Sequence, residues 1–204
     1  MNTTNARSLH SLSRMNIVSW ATTNCNKTYP VSGNPDITYY YDFSQIPGNY
    51  DCTNFVSHAL LAGGAVMYNT GGASGGNPSS TGWYFVSTSD RSCSWSGVPY
   101  LYDFLTTNTT QGPSGQYMAY SIIYLVSGNI IYQSGDILQF KNDAGIWRHS
   151  TIVTGYGMIS GSITSVEALV TGRSDTTHYN LNQRASEIYP GNDKRVIELL
   201  GYYS

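Results

Sequence analysis

The spacing of apolar residues changes from helical to alternating near Tyr117. Between Asn5 and Thr23, the residues Leu9, Leu12, Ile17, Val18 and Trp20 fall partly on one stripe and predict a first helix. Asn24 to Asn49 carries Pro30, Gly33, Pro35, Pro47 and Gly48 and reads as turns. A second helix is predicted over Cys52 to Leu61, with Phe55, Val56, Ala59 and Leu60 facing the core. Gly63 and Gly64 close it. The glycine-rich stretch Asn69 to Gly82 lacks the lysine and following hydroxyl residue of a phosphate loop, so it predicts a mobile surface loop rimming a cleft. Val98 to Thr106 predicts a short helix with Leu101, Phe104 and Leu105 inward.

Past Tyr117, Ile122, Ile123, Leu125, Val126, Ile130 and Ile131 are strand formers. Gly135 opens a strand Asp136 to Phe140, and a turn at Asn142 to Gly145 leads into Ile146 to Gly155. A turn over Tyr156 to Gly161 then precedes Ile163 to Thr171. The three strands predict an antiparallel meander with helices upstream, an α+β fold. The tail, Asp193 to Tyr202, reads as a strand or a short helix. No repeat or linker divides the chain, which predicts one domain over residues 1–204.

Charged residues make up 11% of the 204, with a net charge of −2. That balance argues against a phosphate-tracking nucleic-acid binder and against a polybasic membrane patch. No apolar run approaches the roughly 20 residues of a membrane span. Polarity comes instead from Ser, Thr, Asn, Gly and 18 Tyr, a lean towards extracellular or carbohydrate-rich surroundings. Met1 to Ala6 lacks the basic and apolar regions of a signal peptide. A secreted or wall-associated protein would then be a trimmed chain, or one released by another route such as phage lysis. A monomer is the default expectation.

The candidate chemistry centres on two segments. Cys52 stands at the first turn of a predicted helix, where orphan N–H groups and the positive dipole end lower a thiol's pKa. On position alone it reads equally as a nucleophile or an inert buried thiol. His149 starts a strand on one face with Thr151 and Val153, so its imidazole can meet a helix-borne thiol. A structural strand histidine is the plainer reading of His149 by itself. Cys25 and Cys93 form a bridge in an oxidising compartment or stay as two thiols. The chain has no His-Glu-x-x-His, Cys-x-x-Cys or dinucleotide fingerprint, so no metal and no cofactor are expected. Asp51 is expected to cap the second helix, Trp95 to pack, His58 to pack or face solvent, and Asp136 to bond backbone at its strand start.

Three blocks taken together resemble the putative amidase domain family, a branch near the NlpC-type and CHAP cell-wall hydrolases of the papain-like cysteine peptidases. They are Asp51-Cys52-Thr53-Asn54-Phe55-Val56-Ser57 with Ala62-Gly63-Gly64, then Ser94-Trp95 ahead of Tyr102 to Leu105, then Gly135 to Phe140 with His149-Ser150 and Ile152-Val153-Thr154. The resemblance runs from the helix at Arg14 to about Leu181. It implies a papain-like, NlpC-type core and hydrolysis of amides in bacterial peptidoglycan or a peptide, through a thioester. A wall- or carbohydrate-binding module on the same fold, and a secreted toxin cleaving another amide, are the rival readings. The resemblance further implies Cys52 as nucleophile and His149 as general base, then acid. The Cys52 N–H would stabilise the oxyanion, with Gln45 as a candidate second donor. The imidazole would be oriented by Asp175 at the end of the next strand, with His178 as the alternative if the strand register slips; where the family often has a His-Thr or His-Ser pair, this chain carries Arg173-Ser174.

Overall fold

A computed structural model describes residues 7–27, 41–46, 49–124, 132–174 and 178–204. Along the chain come β1 (Leu9–His10), α1 (Arg14–Asn24), a 3-10 turn (Phe43–Gln45), α2 (Cys52–Ala62), β2 (Phe85–Ser87), β3 (Asp90–Arg91), α3 (Cys93–Ser96) and α4 (Val98–Thr107). Then follow β4 (Gly112–Ala119), β5 (Ile123–Tyr124), β6 (Ile137–Lys141), β7 (Trp147–Met158), β8 (Ser165–Arg173), β9 (Tyr179–Arg184), a second 3-10 turn (Ala185–Glu187) and β10 (Lys194–Tyr203). The result is a mixed α/β structure with a large antiparallel sheet and few helices. The sheet order is β1-β10-β6-β7-β8-β5, with β4 also on β10 and β9 also on β8. No described helix is long and apolar enough to cross a membrane.

The sheet is apolar on both faces, and strand alternation divides its residues between two cores. Ile197, Ile137 and Ile152 stand opposite one another across β10, β6 and β7 and pack with the helices, against Ile17, Phe55, Val56, Leu60, Leu101 and Leu105. Their neighbours Val196, Leu138 and Val153 turn to the other face, with Phe140, Val170 and Tyr132. Two-sided burial explains why these strands read as apolar runs.

Several expected boundaries move. The first helix starts at Arg14, where the Ser13 hydroxyl accepts the Asn16 N–H, because Leu9 and His10 are drawn into the sheet opposite Tyr203 and Tyr202. The turn expected at Tyr156 to Gly161 lies three residues later, since β7 runs on to Met158 and closes through the Ile159 N–H to the Ser165 carbonyl. The tail is a strand, and it enters the sheet between β1 and β6. The Asn69 to Gly82 stretch is tied at its ends by paired bonds between Tyr68 and Trp83. Most of Asn24 to Asn49, with Pro30, Gly33, Pro35, Pro47 and Gly48, lies outside the described residues.

Asp136 joins three of these elements. One carboxylate oxygen meets the Arg14 guanidinium at 2.6 Å and accepts the Leu199 N–H at 2.9 Å, while the other accepts the Gln133 N–H at 2.7 Å. Arg14 in turn donates to the Leu199 carbonyl at 2.9 Å, so α1, β6 and β10 share one polar knot. Asp136 therefore bonds backbone, as its place at the strand start suggests. Asp136→Ala would strand an arginine and two N–H groups. We expect a cost of about 3 kcal/mol, and a fall in Tm on the order of 10 °C, read by chemical and thermal denaturation. A cost below about 1 kcal/mol would mean that water replaces the carboxylate.

Candidate active site

Helix α2 begins at Cys52, and every residue from Cys52 to Leu60 is buried. Its N-terminus is fixed by charges rather than by a cap. Asp51 occupies the N-cap position, but its carboxylate makes no capping bond. It accepts instead the Phe43 N–H at 3.0 Å and the Asn54 amide at 2.9 Å, and faces Arg173 Nε at 3.2 Å. The expected capping role is thus replaced, because the fully buried Arg173 competes for the carboxylate. Arg173 also pairs with buried Asp42 and donates to the carbonyls of Cys25 and Lys27. The Asp51 N–H donates to the Ser174 carbonyl at 3.1 Å, which pins the residue before Cys52 to the end of β8. Burial pushes the Asp51 carboxyl well above the ordinary carboxylate range, against the Asn54, Phe43 and Arg173 contacts that lower it.

His149 lies on β7, buried between the Phe140 ring (6.0 Å between centroids) and the edge of Tyr189 (6.5 Å). Its Nε2 is 3.1 Å from Asn180 Oδ1 on β9. The Asn180 amide nitrogen donates to Gln183 Oε1 at 2.5 Å, so the carbonyl end of Asn180 is the end presented to the ring. A carbonyl oxygen only accepts, which assigns the ring proton to Nε2 and leaves Nδ1 with its lone pair. Between His149 and Asn180 runs β8, where Gly172 pairs with Asn180. A Cβ at Gly172 would meet Thr151 Cγ2 at 2.7 Å and His149 Nε2 at 3.4 Å. The missing side chain is what lets the imidazole reach across a strand.

Cys52 and His149 line one cavity of about 430 Å³, with Tyr50, Asn142, Ile146, Arg148, Ser174 and Tyr189. A second cavity of about 310 Å³ also reaches Cys52, Tyr50 and Arg148, and extends past Trp147 to Tyr100. The thiol is engaged locally, with Sγ 3.8 Å from the Arg148 carbonyl and 3.8 Å from Thr53 Oγ1. Burial pushes the Cys52 thiol up from its usual value, against the Ser150 and Thr53 N–H groups, the Thr53 hydroxyl and the Arg148 charge. This overturns the expectation of a lowered pKa, because desolvation at a buried first turn outweighs the helix dipole. Burial also lowers His149 to about 4, with the Asn180 bond working the other way. At neutral pH both groups are therefore uncharged.

The other expected site residues fall as follows. Asp175 lies outside the described residues. His178 is exposed just before β9, its carbonyl accepting the Ser174 N–H at 2.8 Å, and the side chain at the imidazole is that of Asn180, two residues on. Gln45 ends the 3-10 turn with an exposed side chain, away from both cavities. The Asn69 to Gly82 stretch reaches neither cavity at Cys52, but its end, Ser80 to Gly82, lines a separate one with Tyr100 and Asp103. Cys25, Cys52 and Cys93 are all free thiols. Trp95 is fully buried, donating to Asn54 Oδ1 at 2.6 Å, and His58 packs against it edge-on.

Sequence reasoning missed Asn180, Gln183, Gly172 and Tyr189. The last holds a left-handed backbone (φ 45°) and lines the His149 cavity, its carbonyl accepting the Asn192 N–H at 3.1 Å in a Pro190-Gly191 turn. The Tyr-Pro-Gly tripeptide was the available signal for that turn.

Two outcomes follow from this packing. Gly172→Ala places a methyl group against Thr151, whose hydroxyl is held by the Leu138 carbonyl at 3.1 Å, and should displace the imidazole. We expect a loss of about 1–3 kcal/mol and an altered His149 ring signal in NMR spectra. His58 is lowered to about 3 by burial, against about 6.5 in an unfolded chain. The unfolded state then binds the extra proton as pH falls below 6.5, so His58 withdraws stability towards acid, down to about pH 3. The stability gap between wild type and His58→Leu should therefore shift against wild type by about 1.4 kcal/mol per pH unit between pH 6 and 4.5, in paired denaturant titrations. A gap independent of pH would mean that His58 is solvated.

Comparison with curated proteins and with solved structures finds no match to this chain. A family model, described as the Putative amidase domain, matches residues 11–198. That span holds α1, α2, the whole β6 to β9 meander and every residue of the Cys52 and His149 cavity. It names amide hydrolysis and leaves the reacting groups unnamed. The chain therefore belongs to the putative amidase domain family.

Proposed function

We propose that this protein is a cysteine-dependent amidase with a papain-like, NlpC-type arrangement, acting on peptide amides of the bacterial cell wall. The observation that supports it best is the shared cavity of Cys52 and His149, with Nε2 of the ring committed to Asn180. In this reading Cys52 is the nucleophile, His149 the general base and then acid, and Asn180 the positioning residue in the role expected of Asp175. Gln183 orients Asn180.

The reaction starts from the neutral pair. Sγ leaves the Arg148 carbonyl and attacks the amide carbon as Nδ1 of His149 takes the thiol proton. The oxyanion faces the Cys52 N–H, which has no intrahelical acceptor at the first position of α2. The imidazolium returns its proton to the leaving nitrogen, the amine departs, and a thioester remains. Water then attacks the thioester, giving its proton to Nδ1. The acid is released and the thiol regains the proton. The polar, low-charge, Tyr-rich composition supports a substrate outside the cytoplasm.

Digestion of purified peptidoglycan, with fragments typed by mass, tests this reading. Cys52→Ala should abolish product, and His149→Ala should cost about 10²- to 10⁴-fold. For wild type, kcat/KM should fall with acid only around pH 4, where His149 of the free enzyme protonates. Asn180→Asp should keep turnover and move that acid limb upward, since a carboxylate favours the imidazolium. Product formed by Cys52→Ala would sink the cysteine mechanism. Binding to the wall with no product from wild type would make the chain a binding module.

A further inference from the structure

Arg148 is the residue of this cleft that the proposed chemistry leaves unused. The β6–β7 ladder pairs Phe140 with His149 and Lys141 with Trp147, so Arg148 is the extra residue of a β-bulge. Bulges re-aim a side chain out of the ladder, and this one has two effects. It turns the Arg148 carbonyl to Cys52 Sγ at 3.8 Å, and it carries the guanidinium over the Tyr50 ring at 4.7 Å. Arg148 and Tyr50 thereby border both cavities that open on the thiol.

The charge of Arg148 is exposed and has no carboxylate partner among the described residues. Five other cations among the described residues are committed. Arg14 is paired with Asp136, Lys141 with Asp193, Arg173 with Asp42 and Asp51, and Arg184 with Glu167. Arg195 is clamped between Tyr102 and Trp147. No acidic side chain among the described residues lines either cavity at Cys52. Asp143, next to the lining residue Asn142, already accepts the Asn192 amide at 2.8 Å. The positive end of α2 adds to the same field. A guanidinium lying over an aromatic ring keeps its in-plane N–H groups available, and these match a carboxylate in a two-point contact.

We infer that Arg148, held over Tyr50 by the bulge, binds a free carboxylate of the substrate close to the scissile amide. The inference rests on the amidase reading and names its substrate class: acidic peptides, cut next to a carboxylate, in preference to neutral ones. Tyr50 acts as the platform that orients the guanidinium, and the two cavities take the substrate on either side of the thiol.

Two measurements on the full chain test it. The first compares alkylation of Cys52 by iodoacetate and by iodoacetamide at pH 8 and low salt, resolved by peptide mapping, with half-buried Cys93 as the internal reference. The iodoacetate-to-iodoacetamide rate ratio should be roughly fivefold higher at Cys52 than at Cys93, and fall to the Cys93 value in Arg148→Gln. The ratio cancels any change in thiol ionisation, and about 0.5 M salt should narrow it. Equal ratios at the two cysteines, or a Cys52 ratio that survives Arg148→Gln, would overturn the inference. The second uses Cys52→Ala, which needs no reactive thiol. N-acetyl-alanyl-glutamate should bind at least fivefold more tightly than its diamide by NMR titration, with the difference lost in Cys52→Ala/Arg148→Gln. Equal binding of the two peptides, or binding of neither, would also overturn it. Failure of the cysteine reading looks different: both reagents would then alkylate Cys52 at rates indifferent to His149→Ala.

Discussion

The site depends on a buried guanidinium. Arg173 lies at the end of β8 with no exposed surface, and it holds Asp42, Asp51 and two backbone carbonyls near the end of α1. Those partners come from segments that share no ladder with β8, so the charge does work that sheet hydrogen bonds cannot do. Burying it is tolerable because the partners are themselves charged or strongly polar. Two carboxyls facing one guanidinium would leave a surplus negative charge. The raised Asp51 carboxyl reduces that surplus by favouring the protonated form. One residue on is Cys52, so the position of the thiol is set by an electrostatic cluster and not by the helix's own capping.

The same burial governs the chemistry. Desolvation raises the thiol and lowers the imidazole, and the local N–H groups and Arg148 only partly offset it at the thiol. A preformed thiolate–imidazolium pair is therefore disfavoured in the resting structure. The proposed reaction needs proton transfer to accompany attack, and a substrate that replaces water at the thiol without leaving charges unsolvated.

Local signals were legible where one element decides the outcome. The apolar spacing of Phe55, Val56, Ala59 and Leu60 and the strand at Ile137 to Phe140 follow from short stretches of sequence, whereas the meeting of Cys52 and His149 in one cavity was legible only through the family resemblance. The errors arise where distant partners compete. Leu9 and His10 left the first helix because the chain's last strand offered a ladder. Asp51 gave up its cap because Arg173 lay against it. Asn180 escaped notice because its relation to His149 crosses an intervening strand, and it depends on Gly172 having no side chain there. No local pattern around Asn180 carries that information, and the register of β8 against β9 decides it.

The bulge at Arg148 has a consequence for how such a protein diverges. A bulged residue has no partner in the ladder, so exchanging its side chain leaves the pairing of β6 with β7, and both cores that hang on it, unaltered. The cleft's charge is thereby separated from the scaffold's stability. On the proposed reading, exchanging Arg148 would change the charge that a substrate meets without a compensating change in the fold. Substrate preference in such a lineage is free to drift faster than structure.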